Sequence, residues 1–159
     1  MTVITDIKKI IDQVGRWCPS DVAYIRHVSF ENCEQQSFDM VLKVLLQPRL
    51  PLSTGWPDPN GTFWEVEIAF YQVQNLSLTM NGPWDIQTPG FALDDIRDRQ
   101  WEGINLLVYD YERLAKEEIN FGARSAQVRN CRPALCAPNS PNLWREYPGE
   151  FDGTKTSVL

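Results

Sequence analysis

Few residues in this chain have the type and spacing to do chemistry. His27 is the only histidine, set between Arg26 and Val28. An imidazole can serve as a general base or bind a metal, but one histidine excludes any multi-histidine metal site. Any Ser-His or Cys-His couple would have to run through it, and no G-x-S-x-G elbow supplies a nucleophile. A structural strand histidine is the leading reading. Glu65 and Glu67 stand two residues apart, so on a strand both carboxylates would point into one space and could share acid-base work. The commoner outcome is the wet face of an antiparallel sheet. Asp94, Asp95 and Asp98 could gather round a divalent cation, but they lack the spacing of a calcium loop and fit a solvated turn as well. Cys18, Cys33, Cys131 and Cys136 offer only one loose pair, whereas structural zinc prefers two short ones. The nine glycines form no phosphate-binding loop. No cofactor, metal or catalytic residue is expected, and the chain is expected to fold without metal or disulfides.

A second group of residues is suited to recognition. Trp56 and Trp84 each lie in a loop beside proline and aspartate, in Gly55-Trp56-Pro57-Asp58 and Pro83-Trp84-Asp85. Tryptophan dominates interface hot spots, though each ring could equally fold back onto the core. Asp94, Asp95, Asp98 and Glu102 make a strongly acidic stretch. These six residues, Asp94, Asp95, Asp98, Glu102, Trp56 and Trp84, are the candidate partner-binding set.

The elements that must position them are mostly strands. Ile7, Ile10, Ile11 and Val14 recur at helical spacing, with Thr5 or Asp6 available to cap the start and Gly15 to end it. Residues 18–21 read as a turn. Residues 22–30 are rich in β-branched and aromatic types, and 38–46 alternate with period two. Prolines break the run over 47–61, and Asn60-Gly61 signals a tight turn. Over 63–80, Trp64, Val66, Ile68 and Phe70 share one face with Glu65 and Glu67 on the other. The phase slips between Val73 and Leu76, which predicts a bulge or corner over 71–75. Shorter strands are expected at 91–96, 104–112, 117–123 and 125–131. The fold class is therefore α+β: about seven strands in a mainly antiparallel sheet, twisted or partly closed, with an N-terminal helix over one face or end. Residues 1–132 form one domain, and 133–159 form a proline-rich C-terminal tail in which Trp144 and Tyr147 could anchor.

Charge and composition narrow the classes further. The 159 residues suit a single domain, and 43% hydrophobic with 23% charged residues is a globular balance. A net charge of -6 repels phosphate backbones and anionic membrane surfaces, so neither nucleic acid nor membrane is an expected partner. No apolar run is long enough to span a bilayer and no export signal is legible, so the expected compartment is the cytoplasm, where thiols stay reduced.

The middle of the chain, 63–130, resembles small bacterial domains that include immunity proteins of polymorphic toxin systems. The residues that carry the resemblance are Trp64-Glu65-Val66-Glu67-Ile68-Ala69-Phe70 with Val73 and Leu76, then Gly90-Phe91, Val108-Tyr109-Asp110 and Ile119-Asn120-Phe121-Gly122-Ala123. The resemblance implies binding and inhibition of a cognate toxin without catalysis. It fixes no binding residues. The leading expectation is thus a protein-binding domain acting on a protein partner such as a basic toxin. A small-ligand-binding domain or an enzyme using strand carboxylates is one alternative, and a structural subunit of a larger assembly is another.

Overall fold

The computed structural model of the chain describes residues 3–49, 55–79, 85–111 and 119–139. In chain order the elements are β1 (Ile4–Thr5), α1 (Lys8–Val14), a 3-10 turn (Pro19–Asp21), β2 (Val22–Glu31), β3 (Phe38–Leu46), β4 (Trp64–Leu78), β5 (Ile86–Gln87), β6 (Phe91–Asp95), a second 3-10 turn (Arg97–Arg99), β7 (Leu106–Asp110), β8 (Ile119–Ala123) and β9 (Ser125–Pro133). The strands run in the order β5-β2-β3-β4-β8-β7-β6, with β9 on β4 and β1 on β9. Seven strands match the sequence expectation in place. The other two are two-residue strands too short to show periodicity. β1 also departs from the expected pairing, because it runs parallel to β9.

β4 makes the architecture. Its first half pairs with β3 and β9, and its second half pairs with β8. The register breaks between these halves, and Gln72 and Asn75 take left-handed backbone angles of φ 52 and φ 56. The expected corner is there. β8 and β9 bend at the same level, where the Arg124 amide donates to the Tyr71 carbonyl at 2.9 Å. The chain crosses from one half of the sheet to the other along β4 and again between β8 and β9, and both halves contribute to one core.

The bend encloses the core. Met40, Leu42, Val44 and Leu46 on β3 and Val66, Ile68 and Phe70 on β4 face Phe91, Leu106, Val108, Ile119 and Phe121 from the other half. Phe70 and Phe121 meet edge to face at 4.9 Å between centroids, a geometry that adds to their area burial. α1 adds fully buried Ile10, and Gly15 ends the helix at φ 95 with its amide on the Ile11 carbonyl. The expected side-chain cap is not made. Thr5 lies in β1, and the Asp6 carboxylate accepts from Gln127 Nε2 at 2.8 Å, so pairing with β9 has taken both candidate caps. Residues 19–21 are a 3-10 turn whose buried Asp21 accepts Arg16 Nε and Nη2 at 2.9 and 2.7 Å.

The outer face of the sheet carries a second, smaller core of Ala23, Tyr24, Leu45 and Phe63, with Trp56 and Ala134 packed on it. No helix among the described residues is long and apolar enough to cross a membrane.

Candidate partner-binding groove

A seam is left where the N-terminal segment meets β6 and β7. A half-open groove of about 240 Å³ lies there, lined by Val3, Ile4 and Ile7 from the N-terminal segment and by Leu93 and Leu106 from β6 and β7. Trp17 and Pro19 complete the apolar lining, and Asp95 and Arg97 stand at its rim. Four of the apolar residues have a local reason to be here. Val3 and Ile4 are set by the β1–β9 pairing, Ile7 precedes the helix, and Leu93 follows Phe91 at the spacing that keeps one strand face inward.

The rim is charged and ordered. Arg97 Nε donates to both Asp95 carboxylate oxygens at 2.9 and 3.0 Å, and the Arg97 amide donates to Oδ1 at 3.1 Å. These bonds from Arg97 hold the Asp95 carboxyl below the usual carboxylate range, and the same contact raises the Arg97 guanidinium. The pair remains open to water, with side chains 47% and 43% exposed. Asp94 turns to the other sheet face and accepts the Tyr109 hydroxyl at 2.8 Å. Asp98 and Glu102 are exposed, and so is Trp101, whose ring lies 5.7 Å from the Arg99 guanidinium carbon. Four acidic side chains over 94–102 are thus interleaved with Arg97 and Arg99, a local excess of two negative charges.

The remaining sequence candidates fall elsewhere. Trp56 is half-buried, donates its indole N–H to the Gln47 carbonyl at 2.7 Å and is covered by the Arg49 guanidinium 3.6 Å from its ring centroid. Trp84 lies outside the described residues, as do Trp144 and Tyr147. His27 is exposed on β2, and β-sheet register sets it beside Lys43 on β3, which in turn faces Glu67 on β4. Burial pushes the Cys131 thiol up, toward the unreactive protonated form. No group of three or more His, Cys, Asp or Glu side chains among the described residues is placed to hold a metal ion.

Glu65 corrects the expectation of a wet sheet face. It is buried, and its carboxylate accepts Arg132 Nη2 at 2.8 Å and Arg26 Nη1 at 3.5 Å. Arg26 also donates to buried Asp85 and to the carbonyls of Cys136 and Ala137, while the Asn139 amide donates to Asp85 at 2.9 Å. Residues 134–139, the start of the expected tail, are therefore seated on this end of the sheet. Glu65 is thus engaged by two arginines, while Glu67 is half-buried and faces Lys43 on β3. Sequence reasoning missed Arg26 and Asp85, because nothing local marks partners 59 residues apart.

A second hollow, about 540 Å³, is lined by Glu34, Gln35, Gln36, Ser37 and Gln72 beside the β2–β3 turn. Its lining offers no apolar wall, so it lacks the means to bury a ligand. Comparison with known proteins finds no family model, no curated protein and no solved structure that this chain matches.

Proposed function

We propose that this chain is a protein-binding domain without turnover of its own, and that the seam groove is where its partner docks. The observation that carries this reading is the groove's composition: an apolar interior bounded by an exposed charged rim. Protein interfaces are built in this way, with desolvated anchors at the centre and polar groups around them. The volume argues the same way. Small-molecule sites run to roughly 300–1,000 Å³, so a groove of about 240 Å³ suits one or two side chains of a larger partner better than a whole ligand.

The net charge of -6 favours a basic partner through electrostatic steering. Neutralisation of a cognate bacterial toxin in the cytoplasm is the form of this role that the resemblance over 63–130 implies. The test is direct titration against the purified toxic domain encoded beside this chain's gene. Wild type should bind, and Leu93→Asp, which places a charge in the groove, should weaken binding about tenfold or more, the equivalent of roughly 1.4 kcal/mol. Circular dichroism should report an unchanged fold for the variant. Absence of binding, or full affinity in Leu93→Asp, would overturn the proposal.

A further inference from the structure

The backbone of β6 says more about what the groove takes. The Tyr111 amide donates to the Gly90 carbonyl and the Ile96 amide to the Asn105 carbonyl, each at 2.8 Å, one bond at either end of the strand. Bonded and non-bonded pairs alternate along an antiparallel ladder. With Phe91 opposite Asp110 and Asp95 opposite Leu106, the residues that bond toward β7 are therefore Gly90, Ala92, Asp94 and Ile96. Phe91, Leu93 and Asp95 turn their N–H and C=O groups the other way. Among the described residues the strand path ends at β6, so no strand lies on that side.

The three outward residues are not equivalent. Gly90 lies so close to Ser20 that a Cβ there would stand 2.5 Å from the Ser20 carbonyl oxygen, and the Pro19–Asp21 turn packs against β6 itself, which covers the Phe91 end. Leu93 and Asp95 line the groove. The groove therefore has, along one wall, two residues with outward peptide groups beside an apolar cleft. Peptide groups in that arrangement recognise extended backbone.

We infer that the partner contributes an extended segment that adds to the edge of β6 and lays an apolar side chain into the groove. This rests on the protein-binding reading and specifies its chemistry. Leu93 and Asp95 share one face of β6, two residues apart. The incoming strand then presents an apolar residue beside Leu93 and, two positions along, a basic residue beside Asp95. Charge complementarity selects the basic residue, since 94–102 carries four acids against two arginines. The same acidic residues discourage a second copy from pairing edge to edge, a common use of charge on open edges.

The probe is a capped pentapeptide, threonine-valine-threonine-lysine-threonine, titrated to millimolar concentration into the full-length protein labelled with nitrogen-15. The amide signals of Leu93 and Asp95 should shift, and their hydrogen exchange should slow about tenfold or more, as new backbone bonds form. Those of Ala92 and Asp94, already bonded to β7, should not change. The same peptide N-methylated at alternate residues keeps its side chains but cannot build a ladder, and should leave all four amides unmoved. Leu93→Pro removes the outward donor without costing a bond to β7. It should abolish binding, whereas Leu93→Ala should only weaken it. No shift at millimolar peptide, or equal shifts with the N-methylated peptide, would overturn strand addition. So would a dimer that protects both amides without peptide. If the adjacent toxic domain binds and is sensitive to Leu93→Asp, but treats Leu93→Pro and Leu93→Ala alike, strand addition fails while the protein-binding reading stands.

Discussion

The Arg26 guanidinium and the Asp85 carboxylate meet out of contact with water: Nε lies 3.3 Å from Oδ1, Nη2 lies 3.2 Å from Oδ2, and the side chains are 1% and 0% exposed. Through this pair β2 is tied to the residue before β5, and the arginine also donates to the carbonyls of Cys136 and Ala137. A buried pair of this kind contributes little net stability over an apolar replacement, yet leaving one partner alone is costly. Asp85→Ala should therefore destabilise the domain by about 3–5 kcal/mol, read from urea unfolding. Arg26→Met combined with Asp85→Leu should cost less than Asp85→Ala by itself. A single-variant loss below about 1 kcal/mol would mean that water reaches the pair.

Gly90 packs against Ser20 just before β6. It combines φ 104 with the tight approach to Ser20, so an alanine would meet both a disfavoured backbone region and a collision with main chain. Gly90→Ala should cost about 2–4 kcal/mol, the sum of a left-handed residue and an overpacked contact. In an NMR spectrum the largest shifts should fall on Ser20 and Phe91. Stability within about 0.5 kcal/mol of wild type would show that the turn relaxes freely.

The corner of β4 rests on residues that tolerate positive φ. Asn75, at φ 56, is a type that enters this region more easily than most. Asn75→Val should destabilise by about 1–2 kcal/mol, while Asn75→Gly should be neutral or mildly stabilising in thermal melts. If valine were as well tolerated as glycine, the corner would not depend on that backbone angle.

These positions show what could be read in the sequence and what could not. The alternation over Phe38–Leu46 and its slip between Val73 and Leu76 are local patterns, and each reappears as a strand or a corner. β1 and β5 are two residues long and owe their existence to β9 and β2, which no local window contains. Glu65 alternates like a solvent-facing residue, yet it is buried and held by arginines 39 and 67 residues away. The acidic stretch at 94–102 was legible as charge. The groove beside it was not, because Val3, Ile4, Ile7 and Leu93 read as ordinary core residues, and the gap between them is a property of how the sheet fails to close.

Two exposed carboxyls should reveal their partners on acid titration. Bonds from Arg97 lower Asp95, and bonds from Arg129 lower Glu31. A carboxyl lowered by folding adds stability that is present above its ordinary value and is lost as pH falls through the folded value. Both contributions should thus fade only at pH below the usual carboxylate range of about 4. Both groups are open to solvent, so salt should shrink them. Carbon-13 titration should place the Asp95 midpoint low in wild type and raise it in Arg97→Ala, short of the ordinary value because the residue-97 amide still donates to Oδ1. An unchanged midpoint in that variant would mean that Arg97 does not set it.

The rim should govern how fast a basic partner arrives. Asp95 ends β6 and Asp98 sits in the 3-10 turn that follows, both exposed, so Asp95→Lys together with Asp98→Lys should cost no more than the exposed Asp95–Arg97 pair, within about 1 kcal/mol of wild type. The exchange converts the local excess of two negative charges over 94–102 into two positive ones. At physiological salt the field reaches about 8 Å, far enough to steer an encounter but too short to act across the molecule. Association with a basic partner should slow about tenfold at low salt, and added salt should narrow the difference. Dissociation should change less, because only the contact at Asp95 is lost and the apolar lining of the groove is unchanged. Trp56 supplies the control. Its indole bond to Gln47 and its cover by Arg49 place it in the outer core, so Trp56→Phe should lower stability and leave both rates alone. If association ignored both salt and the double substitution while Trp56→Phe slowed it, the docking surface would lie at the Trp56 loop instead of the seam.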